Sequence, residues 1–563
     1  MRKACAVLVL LVAGSLGFVQ AGSTPVRSRT GMVISANDLA SQVGARALKD
    51  GGSAVDAAVA TAFALAVTHP TAGNIGGGGF LLYRAANGPA VAYDFRETAP
   101  AAASPTMFMK AGRYDADLHR RGHLSVGVPG TVAGLHLAWK EHGRLPWKRL
   151  VEPAVALARD GFMVSEGLAR SLAGVLPQMQ TYPASVAQFS KNGVPYAASD
   201  LLKQPVLATA LKRIATRGPA GFYEGPTAEA FEREMKAHGG LITREDLKRY
   251  TAVRRVPLQG SYRGYDILAM PPPTSGGVAI IEILNILEGY DLAQMGAGSS
   301  SATHLVAESM RRAFADRAAH LGDPDFNREM PILRLLSKPY AAELRRQSIS
   351  RDRASKSSPT TFDWPRESDE TTHASVVDAD HNAVSMTYTI EQSYGTKIVL
   401  PGGGFLLNTE MGDFNAGPGL TTPDGLIGTT ANLAQPGKRM LSSMSPTIVT
   451  KNGRLFMVTG SPGGRTIINT VVQTILNVVD FGMNAQEAVD AGRFHHQWLP
   501  DRITYERFSL SPDTLAALRA NGHEVTQGGN QGAAEVIVYN EVENMFEGGI
   551  DRRQPDGGAA LPR

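Results

Sequence analysis

The sequence has almost no cysteine. Its single example, Cys5, falls inside an apolar run at the N-terminus, so a chain from which that run is removed has none. Disulfides, thiolate metal sites and a cysteine nucleophile are thereby excluded. A strong charge of either sign is missing too: 56 basic against 52 acidic residues leave a net charge of +4, which gives no electrostatic footprint for nucleic acid. Beyond the N-terminal run no stretch is long and apolar enough to read as a membrane-spanning helix. Disorder is not the default either, because 43% hydrophobic and 19% charged residues is a globular composition.

The start of the chain differs in kind. Arg2 and Lys3 precede the apolar run Ala4 to Val19, and Val19-Gln20-Ala21 supplies a small-x-small cleavage site, so residues 1–21 read as a secretory signal. A membrane anchor is the competing reading, but Gly14, Ser15 and Gly17 interrupt the run and it is short for a span. The expectation is an exported protein, periplasmic or secreted, with no membrane attachment once the signal is gone.

Asn37 is placed to cap a helix with Leu39, Val43, Ala47 and Leu48 on one face, stopped by Gly51-Gly52. Ser53 opens a second helix, Ala54 to Thr68, that is apolar nearly all round and therefore predicted to be buried in a layer against a sheet. Four glycines, Gly76 to Gly79, then stand before "FLLY", a sign of close backbone approach. Residues 345–370 are rich in charge, Ser and Pro and read as an exposed, mobile arm. After them the texture reverses. "HASVVDA" and "AVSMTYTI" flank Asp380-His381-Asn382 as a hairpin, which carries Thr371 to the neighbourhood of Thr389 to Glu391.

A threonine at the head of a buried strand, behind a loose arm, has a chemical use. Its hydroxyl can attack the carbonyl of Glu370, and the new amine freed on Thr371 can then serve that same hydroxyl as general base. Thr at a strand start is also common for packing reasons, and "TTH" alone does not decide between the two.

Further motifs do. "VTHPTAGNIGGGGF" (67–80), "DFRETAP" (94–100), "VPGTVAG" (128–134), "MPPPTSGG" (270–277), "LGDPDF" (321–326), "TTHASVVD" from Thr371, "LLNTEMGDF" (406–414), "LSSMSPT" (441–447) and "TGSPGG" (459–464) stand in one order along the chain. Together they resemble the γ-glutamyltranspeptidases, members of the N-terminal-nucleophile hydrolase superfamily. The resemblance implies an α+β fold, a four-layer αββα sandwich, cut after Glu370 into a large subunit (22–370) and a small catalytic subunit (371–563) that remain together as a heterodimer. It implies a γ-glutamyl donor such as glutathione and water, amino acids or peptides as acceptors, with no cofactor and no metal.

The resemblance also assigns roles. Thr371 is the nucleophile and Thr389 its hydrogen-bond partner. Arg96 pairs with the donor α-carboxylate, assisted by Ser442 and Ser443, a task that suits a planar guanidinium. Glu391, Glu410 and Asp413 receive the α-ammonium; three acids around it either strengthen the grip or leave one of them holding a proton, since crowded like charges raise one another's pKa. Gly463 and Gly464 form an oxyanion hole between a strand and a helix start. From residue type alone a salt bridge from Arg96 to Glu97 or Asp94 is the leading reading, and motif position reverses that order. His373 and the pair His495-His496 read as packing. Residues 418–438 correspond to a lid whose tip is often aromatic; Asp424 stands there and the segment has no aromatic, which predicts appreciable hydrolysis beside transfer. Two rivals remain on the same scaffold: a glutaryl β-lactam side-chain acylase, and an exported binding protein without catalysis.

Overall fold

The computed structural model describes residues 23–357, 370–420 and 429–562, so the signal segment and Asp424 lie outside the described residues. Two seven-stranded antiparallel sheets lie face to face. In one, the order is Val253–Arg255, Ala90–Phe95, Gly78–Arg84, Ala383–Thr389, Thr372–Asp378, Gly31–Ser35 and Gly558–Ala560. In the other it is Val26–Ser28, Met545–Ile550, Glu535–Asn540, Arg454–Gly460, Thr447–Lys451, Tyr265–Ala269 and Leu258–Tyr262.

The period-2 alternation of strands sorts side chains into layers. On the strand Gly78–Arg84, Leu81 and Tyr83 belong to a core shared with the helices Ala54–Thr68, Thr131–His142 and Trp147–Asp160. Phe80 and Leu82 belong to a second core, shared with the other sheet and with the helices Gly276–Leu287, Ser300–His320 and Thr466–Val479. The result is helix, sheet, sheet, helix. The facing sheets also touch through polar groups: Ser375 Oγ donates to the Glu535 carbonyl at 2.9 Å and Ser385 Oγ to the Thr459 carbonyl at 2.8 Å.

The helix Ala54–Thr68 is buried at every position and begins with a reciprocal capping box between Ser53 and Asp56. Each Val, Leu or Phe on it contributes about 1.5–3 kcal/mol by leaving water. Its neighbour Asp38–Lys49, capped by Asn37, buries Ala40, Ser41, Gly44, Ala45 and Ala47 most deeply, while Leu39, Val43 and Leu48 stay half-buried. The predicted face is thus rotated. A Cβ on Gly44 would sit 2.1 Å from Thr61 Oγ1, so the two helices cross too closely for large side chains at the contact.

The hairpin register pairs Thr372 with Tyr388 and His373 with Thr387, as the sequence predicts. The glycine run is equally close-packed, since a Cβ on Gly77 would lie 2.0 Å from the Thr389 carbonyl oxygen. Over its described part the arm is exposed or half-buried and carries hydrogen bonds of its own. Residues 345–348 end the helix Lys338–Ser348, and the next residues are tied down: Ala354 N–H donates to the Asn521 carbonyl at 2.7 Å and Ser357 N–H to Asp501 at 2.9 Å. Charge and serine content here serve a hydrogen-bonded strap, a use that composition does not distinguish from solvation. Among the described residues no helix is long and apolar enough to cross a membrane.

Candidate active site

Strand Thr372–Asp378 runs through the central sheet, and Thr371 stands at its head, 5% exposed. With the Glu370–Thr371 peptide intact, the Thr371 hydroxyl donates to the Glu370 carbonyl oxygen at 2.8 Å. The Thr389 hydroxyl, at the end of the paired strand, donates to the same oxygen at 3.2 Å. Two hydroxyls therefore meet on one carbonyl. Thr389 Oγ1 in turn accepts the Glu391 N–H at 2.9 Å, so its lone proton is directed to that carbonyl. Glu391 holds φ at +70°, a left-handed conformation that a residue with a Cβ seldom adopts and that marks the strand's abrupt end at the site.

These groups border a cavity lined by Arg96, Glu370, Thr371, Thr389, Glu391, Asp413, Ser442, Ser443, Met444, Gly464 and Ile467. Its volume is about 30 Å³ with the Glu370–Thr371 peptide in place. Nine of the eleven are residues singled out in the sequence; Met444 and Ile467 are not.

Arg96 follows strand Ala90–Phe95 and is fully buried. Its two terminal nitrogens pair with Glu410 and with Asp413, and Glu97 lies 3.7 Å away. Its Nε donates to the Met440 carbonyl at 3.3 Å. Asp94 accepts the Arg96 backbone N–H at 3.0 Å and gives its carboxylate to Arg255 at 2.7 Å, so neither pairing expected from residue type alone is the main one. Burial works against the Arg96 charge, but Glu410, Asp413 and Glu97 outweigh it and hold the guanidinium protonated.

Glu410 is placed differently from Glu391 and Asp413. It is fully buried behind Arg96 and has no surface on the cavity, because the 3-10 turn Glu410–Asp413 points it inward while Asp413 reaches the opening. Burial raises its pKa well above the carboxylate range; Arg96 opposes, and Glu97, Asp413 and Glu391 add to the rise. Glu97 is pushed up to about 8, again chiefly by burial. In both, desolvation is the larger cause of the rise and crowding by like charges the smaller.

Gly463 and Gly464 lie between strand Arg454–Gly460 and helix Thr466–Val479 at φ +125° and +55°. A Cβ on Gly463 would be 2.5 Å from Thr466 Oγ1, which forbids a side chain. Gly464 and Ile467 border the cavity and Gly463 sits one residue behind, so the positive end of a 14-residue helix opens on the site.

Three supporting residues were not found by sequence reasoning. Arg317 donates from Nε to Ser275 Oγ at 2.7 Å and from a terminal nitrogen to Ser443 Oγ at 3.0 Å; Ser275 Oγ donates to the Ser442 carbonyl at 2.7 Å. Asn432 holds the Asp413 carbonyl at 2.7 Å and accepts the Leu441 N–H at 2.9 Å, which fixes the described end of the 418–438 segment to the wall. Arg120 lies 3.6 Å from Glu391. The available signal for Arg317 is its place on the buried stripe of Val306, Met310 and Phe314, where an arginine needs polar partners. His373 packs as expected, between Thr387 Oγ1 at 2.7 Å and Ser375 Oγ at 3.1 Å, and burial lowers its pKa to about 3. His495 meets Asn469 and Gln497, whereas His496 faces Asp501.

Comparison with known proteins gives the same direction. A family model described as Gamma-glutamyltranspeptidase matches residues 40–561. The chain is 48% identical over 538 residues to the glutathione hydrolase proenzyme of Escherichia coli K12, covering 94% of this chain and 92% of that protein. Among solved structures it resembles a cephalosporin acylase from Bacillus halodurans, with a TM-score of 0.84 at 26% identity over 98% of this chain and 99% of the other. It also resembles the gamma-glutamyltranspeptidase of Helicobacter pylori, with a TM-score of 0.54 at 44% identity over 55% of this chain and 91% of that one.

Proposed function

The chain belongs to the gamma-glutamyltranspeptidase family, and from that membership we propose that it is an exported, self-processing γ-glutamyltransferase and hydrolase whose donors are γ-glutamyl amides such as glutathione. The observation that carries the proposal is the meeting of the Thr371 and Thr389 hydroxyls on the Glu370 carbonyl, inside a cavity that also holds Arg96, Asp413, Ser442 and Ser443.

In processing, Thr371 Oγ attacks the Glu370 carbonyl carbon while Thr389 donates to the carbonyl oxygen, where negative charge develops. The Glu370–Thr371 amide breaks as an ester forms on Oγ, and water releases Glu370 as a carboxylate. Thr371 is left with a free amine beside its hydroxyl. In turnover that amine takes the hydroxyl proton as Oγ attacks the donor γ-carbonyl, then gives it to the departing amine. Gly463 and Gly464 offer backbone N–H groups to the oxyanion. The γ-glutamyl ester passes to water or to an amino acid or peptide amine. Arg96, Ser442 and Ser443 grip the α-carboxylate; Asp413 and Glu391 receive the α-ammonium, with Glu410 acting through Arg96. The scheme calls on no cofactor. Export rests on the N-terminal signal pattern.

Intact mass under denaturing conditions tests the first half. Two fragments meeting at Glu370/Thr371 are expected, and a single chain from Thr371→Ala; a Thr371→Ala chain that still cuts there would refute a shared nucleophile. A paired assay of γ-glutamyl and glutaryl anilides tests the second. Preference for glutaryl, which lacks the α-amino acid head, would move the chain to the acylase reading that the Bacillus halodurans resemblance raises.

A further inference from the structure

Two histidines and a glutamate converge on the helical layer away from the cavity lining. Glu234 and His238 stand one turn apart on the helix Gly225–His238 and so share a face. His123 comes from the 3-10 turn His123–Ser125, 111 residues earlier in sequence. Its Nε2 is 2.9 Å from Glu234 Oε1, and His238 Nε2 is 3.6 Å from the same oxygen. All three ligand atoms lie within 4.8 Å of one another. The imidazoles stack with centroids 4.7 Å apart and planes 18° apart, so His238 must turn out of the stack before its Nε2 can share an ion with His123.

A tetrahedral zinc with nitrogen and oxygen ligands at about 2.0–2.2 Å spaces its ligand atoms by roughly 3.3–3.6 Å. The measured 3.6 Å fits that range, the 2.9 Å hydrogen bond is shorter and has to open, and the third edge closes by rotation of His238, whose side chain is 54% exposed. His123, by contrast, is buried and its placement is fixed: a Cβ on Gly240 would already lie 3.1 Å from its own Cβ. Two imidazoles and one carboxylate suit zinc and its neighbours in the first row and disfavour magnesium or calcium, which take oxygen ligands.

We propose that His123, Glu234 and His238 form a site for a divalent transition metal of the zinc type, with water in the open position. The site pins the 3-10 turn to the C-terminal end of the helix. That turn leads to Gly127, whose N–H is held by Asn408 at 2.8 Å, two residues before Glu410. The metal therefore braces the wall behind the acids and touches no reacting atom. Sequence spacing conceals it, because only the Glu-x-x-x-His pair is local.

The test uses untagged, metal-stripped protein titrated with Zn²⁺ alone by calorimetry and with Co²⁺ by visible absorption. One metal per chain, four-coordinate cobalt bands and a raised thermal midpoint with zinc are expected. His238→Ala changes an exposed side chain and Glu234→Gln keeps the shape of the other; each should weaken binding by at least the roughly 10–100-fold that loss of an outer-shell partner costs. Each should also lose the thermal shift while anilide turnover stays unchanged. No binding, or binding that both variants retain, overturns the proposal.

Discussion

Replacing Arg317 with methionine removes a guanidinium that contacts no substrate in the proposed scheme but organises two groups that do. Its bonds of 2.7 Å to Ser275 Oγ and 3.0 Å to Ser443 Oγ hold one serine oxygen as an acceptor and, through Ser275, fix the carbonyl of the other. A guanidinium can only donate, so Ser443 Oγ accepts from it, and Ser443 borders the cavity. Without Arg317 the hydroxyl can reverse. The loss of one oriented hydrogen bond to a charged carboxylate, together with a positive charge behind it, is about 1–2 kcal/mol, or roughly 5–30-fold in donor affinity. Met fills much of the same volume, and a thermal melt checks that the variant is folded and cut. The assay compares γ-glutamyl anilide with 4-aminobutyryl anilide, which lacks the α-carboxylate. KM should rise for the first with kcat nearly kept, and the second should be indifferent. An equal loss on both anilides, or a fall in kcat alone, would refute the positioning role.

Thr389→Val should slow fragment formation by the ~10²–10³-fold typical of one lost oxyanion donor, read by the mass time course after expression. Glu410→Gln should leave KM within a few-fold, because burial already favours the protonated acid, whereas Asp413→Asn, at the cavity mouth and paired with Arg96, should raise KM by an order of magnitude or more, an estimate in line with charged hydrogen bonds of about 1.5–3 kcal/mol; equal effects would contradict the different placements. Burial depresses His373 to about 3 and His495 and His496 to about 4. Unfolding therefore takes up protons below the ordinary 6.5, and stability present above that pH should drain away as pH falls toward 3 to 4. Thermal midpoints across that window check it, and His373→Gln should flatten part of the slope.

Local rules made much of this legible. Asn37 and Ser53 cap the helices they precede because a cap acts within three residues. The hairpin register followed from alternation about a short turn, and it alone carried Glu391 to Thr371's neighbourhood. What escaped depends on residues that meet only after the chain has folded. Arg96 and Glu410 are partners across more than half the chain, and nothing in "DFRE" or "NTEMGDF" says that the acid will lie behind the arginine and not beside it in the opening. Arg317 and Asn432 escaped for the same reason, since each acts on a neighbour brought by another element. The hydrogen bonds of 349–357 were hidden too, because hydrogen-bonded serines and solvated ones look alike in composition.

The strand order of the central sheet has a consequence for the life of the molecule. Ala383–Thr389 and Thr372–Asp378 lie between Gly78–Arg84 and Gly31–Ser35, and Gly558–Ala560 closes the edge beyond Gly31–Ser35. A cut between Glu370 and Thr371 would thus leave two polypeptides woven through one sheet. Neither could depart without breaking the ladders of both, so dissociation and unfolding become a single event. Assembly, by contrast, was guided by the covalent join that the cut destroys. An enzyme matured in this way cannot retrace its route after denaturation, and its working lifetime is set by how slowly it first opens.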